Sequence, residues 1–193
     1  VSVLYWRENP HKIIHLHFLL CTIVPIYISP IIIPSIHMLR FTTPRLATQV
    51  VQHAREAAER LLHTSAPIYA PEVLSRVSFE PTKIYQESKS VLVFPMIAGK
   101  EVTNAFRSLH GGALASLADM FTTLHLWGDN PQSRHVSVSF EIQYLEAAMV
   151  GKEFECLTSI VKKGKRLAFT EFEFRDAQTR QVVCKGTHTK AFI

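Results

Sequence analysis

A single carboxylate lies within an apolar segment that is predicted to be a helix. Residues 111–127 are apolar at most positions, and Asp119 is their only acidic residue. A helix that is hydrophobic on all faces is normally buried, and an unpaired buried carboxylate costs several kcal/mol. Asp119 is therefore expected to have partners or a catalytic purpose such as general-base chemistry. The alternative is structural: Asp119 faces a solvent-filled gap or caps a nearby loop.

The predicted helix begins at His110-Gly111-Gly112. N–H groups of a first helical turn have no helical partner, so this end suits an anion or the oxyanion of a tetrahedral intermediate. The glycines alternatively serve close packing or a tight turn. Gly111 and Asp119 are eight residues apart, about 12 Å along a helix. If both serve one site, that site is shared between two subunits, and the protein is an obligate dimer.

The remaining pattern predicts a helix and several strands around this segment. A 3.6-residue period over residues 48–63 indicates a helix, and Pro67 and Pro71 end it. Alternating or β-rich segments then predict strands, at residues 73–87, 90–97, 136–145, 153–162, 166–175 and 181–192. Their short connections favour antiparallel pairing. The predicted class is α+β, with an antiparallel sheet of about six strands around one helix.

Composition narrows the range of functions. The 193-residue chain is 47% hydrophobic and carries a net charge of +5 with a pI near 9.2. This charge suits an anionic ligand, whereas no long basic run or nucleic-acid motif is present, so no nucleic-acid partner is expected. Cys21, Cys156 and Cys184 are far apart and form no CxxC pair. We therefore expect reduced thiols and no metal site.

The first 72 residues differ from the rest. Residues 13–36 are apolar and long enough to cross a bilayer, but three prolines and two histidines interrupt them. The segment after Met38 is rich in Arg and Thr and has no acidic residue before Glu56, which is typical of a mitochondrial transit peptide. We expect residues 1–37 to be an apolar, untranslated extension, 38–72 a transit-like segment with a helix, and 73–193 the main domain. Mitochondrial localisation follows; a membrane anchor at 13–36 and a cytoplasmic protein are the alternatives.

Several ordered strings carry a resemblance to a known family. They are Thr103-Asn104-Ala105, Leu109-His110-Gly111-Gly112-Ala113, Leu117-Ala118-Asp119, Val136-Ser137-Val138, Tyr144-Leu145, Gly151, the segment 163–170, and Gly186-Thr187-His188-Thr189-Lys190. Together they resemble the hotdog-fold acyl-CoA thioesterases of the 4-hydroxybenzoyl-CoA and phenylacetate-pathway type. The resemblance covers residues 73–193 and leaves 1–72 unexplained. It implies a hotdog fold with an N-terminal extension, and hydrolysis of acyl-CoA to free acid and CoA.

The resemblance also implies roles for individual residues. Asp119 would act on the attacking water as general base, or on the thioester as nucleophile. Ser137 would position that water, and Ser139 is the less favoured serine. Three further residues would act near the thioester carbonyl. Gly111 would supply an oxyanion-hole N–H, and Asn104 would supply an assisting amide. His110 would orient the loop.

A turn between two predicted strands supplies the expected CoA contacts. In the family, positions matching Lys163, Lys165, Arg166 and Lys190 contact CoA phosphates; an ordinary solvated turn is the alternative. CoA is part of the substrate, so no separate cofactor is expected. The resemblance further implies a role in fatty acid metabolism and a homodimer that pairs into a homotetramer.

Two residues depart from the family pattern, and two rival functions compete. Arg107 replaces a small residue and Arg180 replaces a glycine. One rival is a hotdog enoyl-CoA hydratase or dehydratase that recruits His110. The other is a non-catalytic acyl-CoA sensor, which would not need Asp119, Asn104 and Ser137 together. A hydrolase with a G-x-S-x-G or H-E-x-x-H string is disfavoured because neither string occurs.

Overall fold

The structure is a computed structural model, and it describes residues 48–66 and 68–193. The predicted apolar extension, 1–37, and the first ten residues of the predicted transit-like segment, 38–47, lie outside the described residues. Within the described part, no helix combines the length and apolar character needed to cross a membrane.

Within the described residues, three α-helices form one layer. The first, α1 (Gln49–Leu62), begins at Thr48, whose side chain accepts a hydrogen bond from the Val51 N–H. The short α2 (Tyr69–Leu74) follows, and α3 (Gly111–Asp129) is the central helix. α1 packs closely on α3, because a Cβ added at Gly128 would lie 2.7 Å from the Val50 carbonyl oxygen. Residues before 73 therefore contribute to the same core as the central helix.

In the part of the chain that the structure describes, seven strands form one antiparallel sheet that curls around α3. They are β1 (Ser78–Phe79), β2 (Tyr85–Ser88), β3 (Val91–Ile97), β4 (His135–Tyr144), β5 (Glu153–Lys163), β6 (Leu167–Asp176) and β7 (Val182–Phe192). Their order is β1-β3-β5-β6-β7-β4, with β2 also pairing with β3. The predicted α+β class, with about six antiparallel strands around a central helix, is confirmed. Strand β4 lies at the sheet edge, so one side of its backbone has no strand partner in the described chain.

The sequence pattern predicted one strand over residues 73–87, and this prediction is wrong. The segment contains the end of α2, the two-residue strand β1, a 3₁₀ turn at Pro81–Lys83 and then β2. Pro81 has no N–H to donate to a strand ladder and favours the first position of a turn.

A β-bulge in β4 decides which of its side chains face the central helix. Ser137 lies opposite Lys190 and Phe140 lies opposite His188, so three steps along β4 match two steps along β7. Lys190 and His188 are both buried. Ser137 and Phe140 therefore share the inner face, although strict alternation would place them on opposite faces.

Arg180 closes the turn between β6 and β7 in a left-handed conformation, with φ of 64°. This conformation is unfavourable for a residue with a side chain and is one that glycine adopts without strain. The Arg180 guanidinium forms ion pairs with Glu155 at 2.6 Å and Glu87 at 3.0 Å. Arg175 binds the same two carboxylates. These contacts offset part of the backbone strain.

Candidate active site

Asp119 lies midway along α3 and has the partners that its apolar surroundings require. Its side chain is 47% exposed. Its Oδ1 accepts a hydrogen bond from Lys190 Nζ at 3.0 Å and lies 3.2 Å from Ser137 Oγ. A carboxylate that is paired with a cation and also open to solvent suits a group that takes a proton from water.

Lys190 occupies the inner face of β7, directly opposite Ser137. The residue is 4% exposed, and its ammonium also lies 3.3 Å from Ser137 Oγ. A buried ammonium is costly unless a carboxylate and hydrogen bonds compensate it. The ammonium is therefore tied to Asp119, and a contact with a CoA phosphate would require it to leave that carboxylate.

His188, for which the sequence pattern predicts no role, completes this cluster. It is 1% exposed, with Nε2 at 2.9 Å from Ser137 Oγ and 3.5 Å from Asp119 Oδ1. Its Nδ1 lies 2.8 Å from Thr122 Oγ1. Burial, followed by the charge of Lys190, lowers the pKa of His188 to about 4, although Asp119 acts in the opposite direction. The imidazole is therefore neutral at neutral pH.

A second neutral imidazole lies at the start of β4. The His135 ring packs 5.6 Å from Trp127 and 6.2 Å from Phe192, measured between ring centroids. Both of its nitrogens are buried and have no hydrogen-bond partner within the described residues. Burial, followed by Lys190, lowers the pKa of His135 to about 4.

The N-terminal end of α3 has the geometry of an oxyanion-binding element. The His110 side chain caps the helix, because its Nδ1 accepts a hydrogen bond from the Gly112 N–H at 3.0 Å. Tyr144 donates to the Gly111 carbonyl at 2.8 Å, and its ring lies 3.2 Å from where a Cβ on Gly111 would stand. The Gly111 N–H has no hydrogen-bond partner in the described part of the chain. It is thus available to a ligand.

Asn104 shapes the loop that precedes α3. Its Oδ1 accepts from the Phe106 and Ser108 N–H groups, and its Nδ2 donates to Ser108 Oγ at 2.8 Å. Arg107, in the same loop, has a φ of 61°, and the Phe106 ring is 81% exposed. In the single chain, the Asn104 side chain therefore binds its own loop.

The predicted site residues form two groups within one chain. Asp119, Ser137 and Lys190 contact one another, whereas Asn104, His110 and Gly111 lie at the N-terminal end of α3. Across residues 48–66 and 68–193, no hydrogen bond or ion pair joins the two groups. Nor does this part of the chain contain a cluster of three or more His, Cys, Asp or Glu residues that could hold a metal ion.

The predicted CoA-contacting residues lie in two separate places, at the turn between β5 and β6 and in the interior of the protein. Lys165 and Arg166 are exposed in the turn between β5 and β6. Lys163, at the end of β5, forms an ion pair with Asp129 at the C-terminal end of α3. These three residues make a basic surface turn, while Lys190 lies in the interior.

An antiparallel sheet curled around one long helix defines the hotdog class of proteins, and solved structures share this fold. Mouse thioesterase superfamily member 2 matches with a TM-score of 0.61 at 28% identity, over 73% of this chain and 96% of that chain. A Streptococcus pneumoniae hypothetical thioesterase, solved with coenzyme A, matches with a TM-score of 0.52 at 21% identity, over 57% and 84%.

The sequence comparisons identify the family within this class. Residues 106–183 match the thioesterase superfamily. The human protein named acyl-coenzyme A thioesterase 13 is 32% identical over 117 residues, which are 61% of this chain and 78% of the human protein. The chain therefore belongs to the thioesterase superfamily.

Proposed function

We propose that this protein hydrolyses acyl-CoA thioesters to a free acid and CoA. The observation that carries the proposal is the contact of Asp119 with buried Lys190 and with Ser137, on the solvent-accessible side of the central helix of a thioesterase-superfamily fold. Relatives named acyl-coenzyme A thioesterase 13 support the choice of substrate class.

Asp119 acts as general base in the proposed reaction. It takes a proton from water while the water oxygen bonds to the thioester carbonyl carbon, and collapse of the tetrahedral intermediate breaks the C–S bond and releases CoA thiolate. Lys190 keeps a positive charge beside the carboxylate, and Ser137 holds the water. The alternative role, with Asp119 as nucleophile, would pass through an acyl-enzyme anhydride.

The active site is shared between two subunits. Gly111 and Asp119 stand about 12 Å apart on one helix, so the oxyanion-binding N–H must come from a partner chain, and Asn104 with it. The free edge of β4 offers a surface for this partner. Its neighbouring exposed apolar side chains are Val136, Val138, Tyr144 and Leu145. Antiparallel pairing of two β4 edges would cover them and make the dimer, and two dimers form the proposed tetramer.

The turn between β5 and β6 receives the CoA phosphates. Lys165 and Arg166 are exposed cations there, and Lys163 adds a third from the end of β5. Phosphate oxygens accept charge-assisted hydrogen bonds from such groups. His110 keeps its role of orienting the loop and helix start by capping α3.

The first test measures CoA release from short, long and aromatic acyl-CoAs by the full chain. Asp119→Asn is expected to lower kcat by at least about 100-fold, since it removes the base. Glu72→Gln is the control, because Glu72 is an exposed carboxylate on α2 that pairs with Arg76 and has no role in the proposed site. Binding without turnover in the wild type would favour the sensor, and hydration of crotonyl-CoA would favour the hydratase.

The shared site is tested by mixing two inactive chains. Asp119→Asn and Gly111→Val are each expected to be inactive as homodimers, the second because its side chain meets Tyr144. A mixed dimer combines an intact Asp119 from one chain with an intact Gly111 from the other, so one of its two sites is complete. Recovery of activity on co-expression supports the shared site, and no recovery in a verified heterodimer contradicts it.

Localisation in mitochondria and a role in fatty acid metabolism remain proposals that rest on the transit-like composition after Met38 and on the family. Import of a chain starting at Met38 into isolated mitochondria, with cleavage of its leader, tests the localisation.

A further inference from the structure

A chain of hydrogen-bonding atoms runs from the central helix to the proposed water site. Thr122 Oγ1 lies 2.8 Å from His188 Nδ1, His188 Nε2 lies 2.9 Å from Ser137 Oγ, and Ser137 Oγ lies 3.2 Å from Asp119 Oδ1. Each hydroxyl has one proton, and the neutral imidazole has one N–H. If both His188 nitrogens are hydrogen-bonded along this chain, only two arrangements of these protons are possible.

In the first arrangement, Thr122 donates to a helix carbonyl and accepts from His188 Nδ1–H. His188 Nε2 then has no proton and accepts the hydroxyl proton of Ser137. In the second arrangement every donor is reversed: Thr122 donates to His188 Nδ1, Nε2–H donates to Ser137, and Ser137 donates to Asp119. The two arrangements differ in the protonated nitrogen of His188 and in the direction of the Ser137 hydroxyl.

The surroundings of Thr122 favour the first arrangement. Thr122 is fully buried, and its Oγ1 lies 2.8 Å from the Ala118 carbonyl oxygen and 3.0 Å from the Asp119 carbonyl oxygen. The hydroxyl oxygen and the carbonyl oxygens repel each other unless the hydroxyl proton lies between them, and no water reaches this position to screen the repulsion. In this arrangement Ser137 gives up its hydrogen bond to Asp119, the longest in the chain at 3.2 Å, and the Lys190 ammonium donates to both oxygens instead, at 3.3 Å to Ser137 Oγ and 3.0 Å to Asp119 Oδ1.

We propose that Thr122 is a positioning residue that holds His188 in its Nδ1-protonated form, so that Ser137 donates to His188 and presents its oxygen as an acceptor to the attacking water. This inference rests on the proposed thioester hydrolysis. Ser137 Oγ has two lone pairs; the Lys190 ammonium, at 3.3 Å, takes one, and the other remains for water.

The consequence concerns the orientation of the water molecule. A water that donates one proton to Asp119 Oδ1 and the other to Ser137 Oγ directs a lone pair away from both, toward the thioester carbonyl carbon. In the reversed arrangement, His188 and Lys190 occupy both lone pairs of Ser137. Ser137 then cannot accept from water, and one anchor of the nucleophile is lost.

The test uses the full chain and three threonine variants. Thr122→Val removes the hydroxyl and keeps the shape, whereas Thr122→Ser keeps the hydroxyl. Thr123→Val is the matched control, because the Thr123 hydroxyl makes the same kind of bond to the Asp119 carbonyl, at 2.7 Å, but lies outside the chain to His188. Thermal unfolding confirms that each variant is folded.

Two readouts are recorded for each variant. Nitrogen-15 NMR of histidine-labelled protein reports which His188 nitrogen carries the proton, with the signal assigned by its loss in His188→Asn. Steady-state kinetics on the best acyl-CoA report kcat and KM separately. The wild type, Thr122→Ser and Thr123→Val are expected to show the Nδ1–H form. Thr122→Val is expected to gain the Nε2–H form and to lose about tenfold or more in kcat at nearly constant KM.

The outcomes separate this inference from the proposed function. An Nε2–H form in the wild type overturns the inference whatever the activity. An unchanged His188 signal or an unchanged kcat in Thr122→Val also overturns it. If the wild type hydrolyses no acyl-CoA, the proposed function fails and the role in water orientation fails with it, while the NMR measurement still decides the direction of the hydrogen bonds.

Discussion

Lys190 is almost completely buried, whereas its partner Asp119 is about half exposed. The two sides of this ion pair therefore contribute differently to stability. Removing a buried charge and replacing it with an apolar side chain of similar length leaves no uncompensated buried ion, because water can solvate the remaining carboxylate. The pair is thus expected to matter more for catalysis than for folding.

We predict that Lys190→Met lowers kcat/KM by at least about tenfold while changing the free energy of unfolding by less than about 1 kcal/mol. Acyl-CoA hydrolysis and urea unfolding measure the two effects. Lys185→Met, on an exposed position of the same strand, is the control and should change neither. A loss of stability as large as the loss of activity would show that Lys190 is mainly a structural residue.

Some of the site was predictable from sequence and some was not. Asp119 was found because a lone carboxylate in an apolar helix is chemically conspicuous, and Ser137 through its place in a family motif. His188 and Thr122 were missed because they are 66 residues apart and meet only after β7 passes beneath α3. The spacing of His188 and Lys190, two residues apart on one strand, was the available signal for their shared face.

At the scale of elements, the bulge in β4 distinguishes the two serines of this strand. Ser137 lies opposite the buried Lys190, whereas Ser139 lies opposite Thr189 on the outer side of the sheet. We predict that Ser137→Ala lowers kcat by about tenfold or more, since it removes a group that positions water. Ser139→Ala is expected to leave kcat within about twofold of wild type. Comparable losses in both variants would mean that the bulge does not separate their faces.

A close approach of β7 and β4 requires a glycine. A Cβ on Gly186 would lie 1.9 Å from the Glu141 carbonyl oxygen and 2.6 Å from the Phe172 ring. We predict that Gly186→Ala destabilises the fold by about 1–3 kcal/mol, because backbone must move to make room. Gly164→Ala is the control, since its nearest neighbour would be 3.6 Å away. The urea unfolding midpoints of the two variants give the comparison.

The long elements were predictable, and the irregular ones were not. Alternation along β5, β6 and β7 and the apolar length of α3 determine their type almost independently of context. The region 73–87 has β-forming residues throughout, but Pro81 interrupts the ladder and converts it into short pieces. The bulge in β4 depends on pairing with β7, some 50 residues later in the chain, so no local pattern reveals it.

For the whole molecule, buried neutral histidines link folding to pH. The pKa values of His125 and His188 are each lowered from 6.5 to about 4, with burial as the main cause. Between pH 4 and pH 6.5, these histidines bind protons in the unfolded chain but not in the folded chain. The free energy of unfolding therefore falls as pH decreases from about 6.5 to 4, by up to about 1.4 kcal/mol per pH unit for each histidine.

We predict that urea unfolding at pH 7 and pH 5 shows this loss of stability, and that His125→Gln reduces the difference. His53→Gln is the control, because that imidazole lies partly exposed on α1. An equal pH dependence in all three proteins would mean that carboxylates, and not these histidines, dominate the acid response.

Two buried cysteines can report how often the sheet opens. Cys156 and Cys184 lie on β5 and β7, both face the interior, and burial raises the pKa of each thiol, to about 12 for Cys184. Alkylating reagents attack thiolates, so these side chains react only when the strands separate. In a chain with Cys21→Ser, the rate of alkylation would therefore measure the rate at which the strands of the sheet transiently separate, without any added probe.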